Sequence, residues 1–386
     1  MEPGFKYDGA LAPDRHAHLY VERQEDQAVW QVLNDRAGID CCIVSLIGAR
    51  QTGKTSLLNR LQTRCSEANA GWITIKLDLS RLTEFQGEQW YQQLSVACCE
   101  RLRKQNIVLS VKDLQDHSVS VFLQPFTARG WAELLLLACQ RLEPGQKLLV
   151  ILDELNSTPL DQWEPFFSNI RAIHQAASSL DDRPEYRTLN FVLAGTFVPT
   201  QLIKNVEHSP FNVSTKVYML PVAAEQLAPL LKLLSQAGKS LESAAEERIY
   251  YWTAGLLLHV QRLCVKLMAT PEDSVTIPMV DRCAEEIQFD DTYLSHVVKR
   301  LGEHEHLARR AAAILERPLK SDRNSDIIAT LEIIGVIRHQ PAMHHWCITN
   351  RLCELTLVNH FSAYFAQGGT EAVSYTHLTL PTICSV

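Results

Sequence analysis

Residues 43–57 read IVSLIGARQTGKTSL, a short apolar run that ends in Gly48-Ala49-Arg50-Gln51-Thr52-Gly53-Lys54-Thr55 and passes into a helical pattern. This is G-x-x-x-x-G-K-[ST] with a strand before it and a helix after it, the context in which the pattern has a physical meaning. Glycines let the backbone wrap tightly enough for several N–H groups to point inward at phosphate oxygens. The helix that starts near Lys54 adds its positive N-terminal end. Lys54 is expected to reach the β- and γ-phosphates and the Thr55 hydroxyl to ligate Mg²⁺. Gly48, Ala49, Arg50, Gln51, Thr52, Gly53 and Ser56 complete the expected phosphate cradle.

A second stretch, KLLVILDE at residues 147–154, runs five apolar residues into two carboxylates. An interior strand that ends in paired acids is unfavourable unless they meet a cation or a polar site. Asp153 is expected to hold Mg²⁺ through its water shell, and Glu154 to act as general base on a water molecule. A strand that simply leaves the core at an acidic turn would look the same; the phosphate loop upstream favours the chemical reading.

The rest of the chain supplies an alternating order. Residues 41–47, 72–79, 147–154, 188–194 and 216–220 read as strands; residues 28–38, 55–68, 86–104, 131–142 and 161–177 read as helices, the last with Asp161 as its N-cap. Strand 188–194 ends at Gly195-Thr196. Thr196 is a candidate γ-phosphate sensor, although a plain strand-to-loop turn would also place it there. Arg23, at the start of the first helix, would reach a phosphate or the face of the base; a solvated arginine is the alternative. Beyond residue 222 the pattern is helical only, at 223–237, 241–252, 255–268 and 279–289. Residues 303–315 and 324–331 follow, then a short strand pair at 335–339 and 346–349 and a closing helix at 350–365.

The expected fold class is therefore α/β, a parallel five-stranded sheet with helices on both faces. The expected division is a lead-in (1–18), an α/β unit (19–222), a helical lid (223–302), a small helical unit with a wing (303–366) and a tail (367–386).

Composition narrows the function classes. Of 386 residues, 46% are hydrophobic, enough for a sizeable core. A net charge of −7 and a pI near 6.1 argue against a protein that coats DNA through a basic surface. The short basic pairs Lys299-Arg300 and Arg309-Arg310 would be the DNA contacts in that reading, and solvated helix faces in the favoured one. Eleven cysteines, none in C-x-x-C, suit a reducing cytosol. The sequence HHWCITNRLC places His344, His345, Cys347 and Cys353 across a strand and a helix without the ligand-pair spacing of a zinc site. The N-terminus has no apolar core segment, so no signal peptide is expected, and no apolar run is long enough to span a bilayer. The location expected is cytoplasmic, away from membranes.

Residues 373–386, VSYTHLTLPTICSV, resemble the translation of a transposase-type sequencing adapter. They are expected to lie outside the fold, with the natural chain interrupted near Ala372.

With these residues quoted, the chain resembles the bacterial AAA-like P-loop ATPases of the STAND type, signal-transduction ATPases with numerous domains. Their Gly-Gly-x-Leu-x-x-[DE] lead-in corresponds to Asp8-Gly9-Ala10-Leu11-Ala12-Pro13-Asp14, and their Tyr-Val-x-Arg-x-x-Asp to Tyr20-Val21-Glu22-Arg23-Gln24-Glu25-Asp26. Their Arg-Gln-x-Gly-Lys-[ST]-Ser-Leu phosphate loop is matched from Arg50 to Leu57, and their Pro-Phe-Asn loop by Pro210-Phe211-Asn212. A Gly-x-Pro-x-Leu-x-Gln-x-Leu-Cys helix start is kept in part, with Gly255, Gln261, Leu263 and Cys264 in register. Leu257 stands where the family has the proline that couples the nucleotide base to the lid. The resemblance spans residues 7–365. It implies binding of ATP or ADP with Mg²⁺, slow hydrolysis by Walker A and Walker B groups, a winged-helix region at 303–365, homo-oligomers on activation and a protein effector further along the chain. Two other functions are a DNA-associated ATPase and a scaffold that binds nucleotide without turnover; the intact Asp153-Glu154 pair argues against the last.

Overall fold

The computed structural model describes residues 4–37, 39–67, 71–120, 124–179, 184–198, 209–320, 325–340 and 343–366. The five expected strands form one sheet, β1 Ile43–Ile47, β2 Trp72–Asp78, β3 Lys147–Asp153, β4 Leu189–Gly195 and β5 Thr215–Tyr218, in the order β2-β3-β4-β1-β5. Every pairing is parallel. Side chains alternate along each strand, and here both faces are covered. Ile43 and Ile47 join Leu148, Val150 and Leu152 in one core; Val44 and Leu46 join Leu149, Ile151, Val192 and Ala194 in the other.

A short helix α1 (Pro13–His16) precedes α2 (Gln24–Arg36), and α3 (Lys54–Glu67) follows β1. Helices α2 and α3 supply Val29, Leu33, Leu57, Leu58 and Leu61 to one face. The opposite face is covered by α4 (Gly87–Arg103), α5 (Val111–Ser120), α6 (Ala128–Cys139) and α7 (Trp163–Ala177). Trp90, Trp131, Phe166 and Phe167 form a continuous aromatic cluster there, with ring centroids 5.1–5.4 Å apart along the Phe166 contacts. Phe211 of the Pro-Phe-Asn turn continues it, 5.4 Å from Phe167.

Three expectations are corrected. Helix α5 was not foreseen, because VKDLQDHSVS has a polar, strongly mixed pattern around Leu114. Helix α7 begins at Trp163 with Gln162 at its N-cap; Asp161 lies in a 3₁₀ turn, Leu160–Gln162, and accepts from Gln162 Nε2 (2.7 Å) instead of capping. The region after residue 222 is not purely helical. Two residues each of β6 (Ser240–Leu241) and β7 (Ser274–Val275) pair in parallel. Residue 38, the expected end of the first helix, and the tail from 367 lie outside the described residues, and with them the adapter-like segment 373–386.

After a short helix α8 (Glu185–Thr188) in the α/β half, the helical half comprises α9 (Ala228–Gln236), α10 (Ser243–Thr253), α11 (Leu257–Ala269), α12 (Ile277–Asp290), α13 (Thr292–Gly302), α14 (Glu305–Glu316) and α15 (Asp326–Ile334). An antiparallel hairpin of β8 (Ile337–Gln340) and β9 (His345–Ile348) then leads into α16 (Arg351–Ala366). Its core includes Trp252, Val260, Leu263, Leu294, Ile328 and Trp346, and also takes in Leu11 of the lead-in and Leu19 and Val21 just after it. The lead-in is thus packed structure. Only residues 4–12 of its described part run without helix.

Candidate nucleotide-binding site

Strand order decides the geometry of the site. β4 lies between β1, which carries the glycine loop, and β3, which carries the paired acids. The loop, the acids and Gly195-Thr196 therefore meet at the C-terminal edge of three adjacent strands, the edge where open parallel sheets bind ligands.

The loop is held by its own groups. Thr52 Oγ1 donates to Ala49 O (2.8 Å), and Gln51 takes a left-handed φ of 62°. Gly53 has φ +92°, which favours glycine, and a Cβ there would sit 2.7 Å from the Arg23 guanidinium and push it aside. Lys54 is buried, and its Nζ donates to Gly48 O (2.9 Å), Ala49 O (2.7 Å) and Thr196 Oγ1 (3.0 Å). Burial pushes its ammonium down to about 8, against the opposing pull of Glu154 and Asp153. Two of its three partners are loop carbonyls, which carry no full charge.

A cavity of about 350 Å³ opens at this edge. Arg23, Arg50, Gln51, Gly53, Lys54, Thr55, Ser56 and Glu154 line it. Gly48, Ala49 and Thr52 line a second, small space of about 30 Å³ with Tyr293 and Gly335. Arg23 is 7% exposed, lies beside Gly53, and its Nη1 is 3.4 Å from Leu220 O. The solvated alternative does not apply to it. Burial lowers its proton affinity, and Tyr20, Glu25 and Asp26 counter this.

Glu154 faces the cavity from a left-handed backbone conformation, φ 55° and ψ 48°, an uncommon one for a side chain with a Cβ. Asp153 lies behind it, 2% exposed. Its Oδ1 accepts from Glu154 N (3.1 Å), and its Oδ2 is 3.6 Å from Lys76 Nζ. Asp153 and Thr55 are hard oxygen donors, and the Asp153 carboxylate keeps acceptor capacity beyond these two contacts, a donor set that fits Mg²⁺. Thr196 N donates to Asn156 Oδ1 (3.1 Å), which fixes the tip of β4 against the turn after Glu154.

Sequence reasoning missed three groups. Lys76 stands alone as a cation in the strand WITIKLD, and that isolation was its only signal. Asn156 had none. The third is the far wall of the cavity, built by Tyr7, Asp8 and Leu11 of the lead-in and by Leu257, Leu258 and Gln261 of α11. The lead-in motif and the Gly255 helix start had been noted, but nothing in one dimension says that they face each other. Gly255, φ +76°, sits so close to Val222 that a Cβ would fall 1.9 Å from its carbonyl oxygen, and this contact sets the start of α11.

Among the basic pairs, Arg300 is bound to Glu303 (3.1 Å) and Arg309 to Glu305 (2.7 Å), each on its own helix surface. Among the described residues no helix is long and apolar enough to cross a membrane.

A family model described as AAA-like domain matches residues 10–354. The chain belongs to this AAA-like domain family. An uncharacterised WD repeat-containing protein of Synechocystis is 24% identical over 276 residues, 67% of this chain and 21% of that relative. The chain thus spans about a fifth of the length of the relative it matches. Among solved structures, a Walker-type ATPase of Pyrococcus abyssi is similar over 91% of this chain and 99% of its own, with a TM-score of 0.60 and 15% identity. The Aeropyrum pernix ORC2 protein, solved as ADPNP and ADP complexes, aligns over 93% and 98% at 16% identity with a TM-score of 0.49. The AAA-like chain thus has the fold of a Walker-type ATPase.

Proposed function

We propose that this AAA-like chain is an ATP-binding, slowly hydrolysing switch of the STAND type. The observation that carries the reading is Lys54. It is a buried ammonium at a cavity mouth, held by neutral oxygens and flanked by Glu154, Arg23 and Thr196. A phosphate oxygen is a better partner for that ammonium than a carbonyl. On this reading Gly48–Thr55 wraps the phosphates, Arg50 and Arg23 add charge around the cavity, and the α3 N-terminus adds its dipole. Thr55 and Asp153 would hold Mg²⁺, which when bound neutralises charge on the β- and γ-phosphates. Glu154 accepts the proton of the attacking water at its carboxylate, and Thr196, fixed by Asn156, positions Lys54 toward the γ-phosphate.

The helical half supports a switch more than a metabolic enzyme. The wall that α11 contributes makes cavity occupancy felt by residues 223–302, the proposed lid. Residues 303–366 supply helices α14, α15 and α16 around an antiparallel hairpin, an arrangement that supports a winged-helix reading. The pairing of Arg300 and Arg309 with neighbouring glutamates favours a regulatory role over a DNA contact. The WD repeats of the Synechocystis relative favour a protein effector as the output, and self-association on activation is part of the same proposal. The ten described cysteines are all free thiols, which suits the cytoplasm.

Lys54→Ala tests the site. Titration with ATP or ADP should show affinity falling by about a hundredfold, the scale of a lost charge-assisted phosphate contact. Undiminished affinity in that variant refutes the site.

A further inference from the structure

The lead-in lines one side of the nucleotide cavity and is fastened at both ends, with Gln51 Nε2 of the loop donating to Asp8 Oδ1 (3.5 Å) between them. At one end Leu11 N donates to Ser56 Oγ (3.0 Å), and Asn59 Nδ2 donates to Leu11 O (3.0 Å), so Leu11 is pinned to α3. At the other end the Tyr7 ring lies under the Arg262 guanidinium, 4.9 Å from its centroid, and Arg262 Nε donates to Tyr7 O (3.4 Å). Between these points, residues 7–11 form one wall of the cavity.

The two ends of the Tyr7–Arg262 contact differ in rigidity. Tyr7 is 40% exposed, on a segment without secondary structure. Arg262 is 1% exposed and paired with Asp291 Oδ2 at 2.6 Å. Asp291 is itself fixed as the N-cap of α13, accepting from Tyr293 N (2.7 Å) and Leu294 N (3.0 Å). His259 Nε2 lies 3.2 Å from the same Asp291 oxygen, and His259 Nδ1 pairs with Asn350 Nδ2 (2.8 Å) at the head of α16. The arginine is anchored and the tyrosine is free to leave.

We infer that Tyr7 and Arg262 form a clasp that holds the lead-in strap over bound nucleotide, and that opening this clasp controls nucleotide release. Arg262 is a positioning residue, acting through the Tyr7 ring and carbonyl. The clasp rests on the nucleotide reading above and adds to it a gate. Release requires the strap to swing away from α11, while the P-loop and the Leu11 hinge stay in place. The same arginine is held by the cluster that caps α13 and meets α16, so the state of the strap is felt where those helices begin.

The test is the release rate of fluorescently labelled ADP from the full chain, chased with excess unlabelled ADP. Tyr7→Leu keeps apolar bulk against the cavity but removes the ring from the guanidinium; Tyr7→Phe keeps the ring. Tyr7→Leu should release ADP about fivefold faster, the scale of one cation–π contact, and Tyr7→Phe should match the wild type. The ADP-free melting temperature of both should stay with the wild type, because Tyr7 is largely outside the core. Unchanged release in Tyr7→Leu, or equal acceleration in both variants, overturns the clasp and leaves the nucleotide site standing. Wild-type protein that binds no ADP overturns the nucleotide reading and the clasp with it.

Discussion

Two buried charge clusters among the described residues, one in each half, are built to opposite ends. In the helical half Asp291 pairs with the Arg262 guanidinium, lies 3.2 Å from His259 Nε2 and accepts from two backbone amides. Burial alone would push its carboxyl up; His259 and Arg262 outweigh that and hold it well below the usual carboxylate range. In the α/β half Lys54 is as deeply buried but meets carbonyls and a hydroxyl, and its ammonium is weakened to about 8. The first cluster is complete in itself and serves the fold. Among the described residues the second has no carboxylate in ion-pair contact, and it faces a cavity. Lys239 in the helical half is likewise buried and held by neutral oxygens, Thr270 O and Glu272 O (both 2.7 Å), so it is the cavity beside Lys54 that supports the proposed ligand site.

Three substitutions press on this contrast, from the largest expected effect to the smallest. Glu154→Gln should lower single-turnover hydrolysis by about a hundredfold or more, the usual weight of a general base, with nucleotide affinity within about twofold of wild type. Phosphate release and nucleotide titration on the same variant read both quantities; a loss of affinity would place Glu154 in binding instead. Asp291→Asn should cost about 3 kcal/mol of folding stability at neutral pH, because it leaves the Arg262 guanidinium buried without its anion. The folded carboxyl is depressed, so its stabilisation is present above the unfolded carboxylate value near 4 and is lost as pH falls through the folded value. Denaturant unfolding at pH 7 and at pH 3 should show the gap between wild type and variant narrowing at the lower pH. Thr196→Ala removes one hydrogen bond from Lys54, worth about 1 kcal/mol or about a fivefold change in turnover. A single-turnover assay measures it, and no change at all would make Thr196 a plain strand end.

Much of the site was legible in one dimension. The phosphate loop could be read because glycine, lysine and threonine at that spacing do one job, and because an apolar strand and a helix flank them. Asp153 and Glu154 could be read because acids at the end of an all-apolar strand need a reason. The five strands were legible from their β-branched and apolar runs, with ends displaced by one or two residues where the ladder stops pairing. Asp161 was misread because a good N-cap residue type carries no information about whether a 3₁₀ turn takes the position. Helix α5 was missed because most of its length is polar, and its place is set by packing against α4 and α6.

What the sequence determined by itself is therefore local. It specifies a glycine loop of the G-x-x-x-x-G-K-[ST] pattern between a buried strand and a helix, a second strand ending in two carboxylates, and a change from alternating to helical architecture near residue 222. Those features follow from side-chain period, turn chemistry and the unfavourable burial of charge, each of which acts over a few residues. Tertiary structure alone decided that β4 slots between β1 and β3, bringing Thr196 to Lys54. It alone set Lys76 beside Asp153, and it folded the lead-in along the cavity so that Tyr7 meets Arg262, 255 positions away in the chain. Such contacts depend on strand order and on how the two halves pack. No periodicity encodes either, because they are settled by the burial of whole faces and not by any single residue.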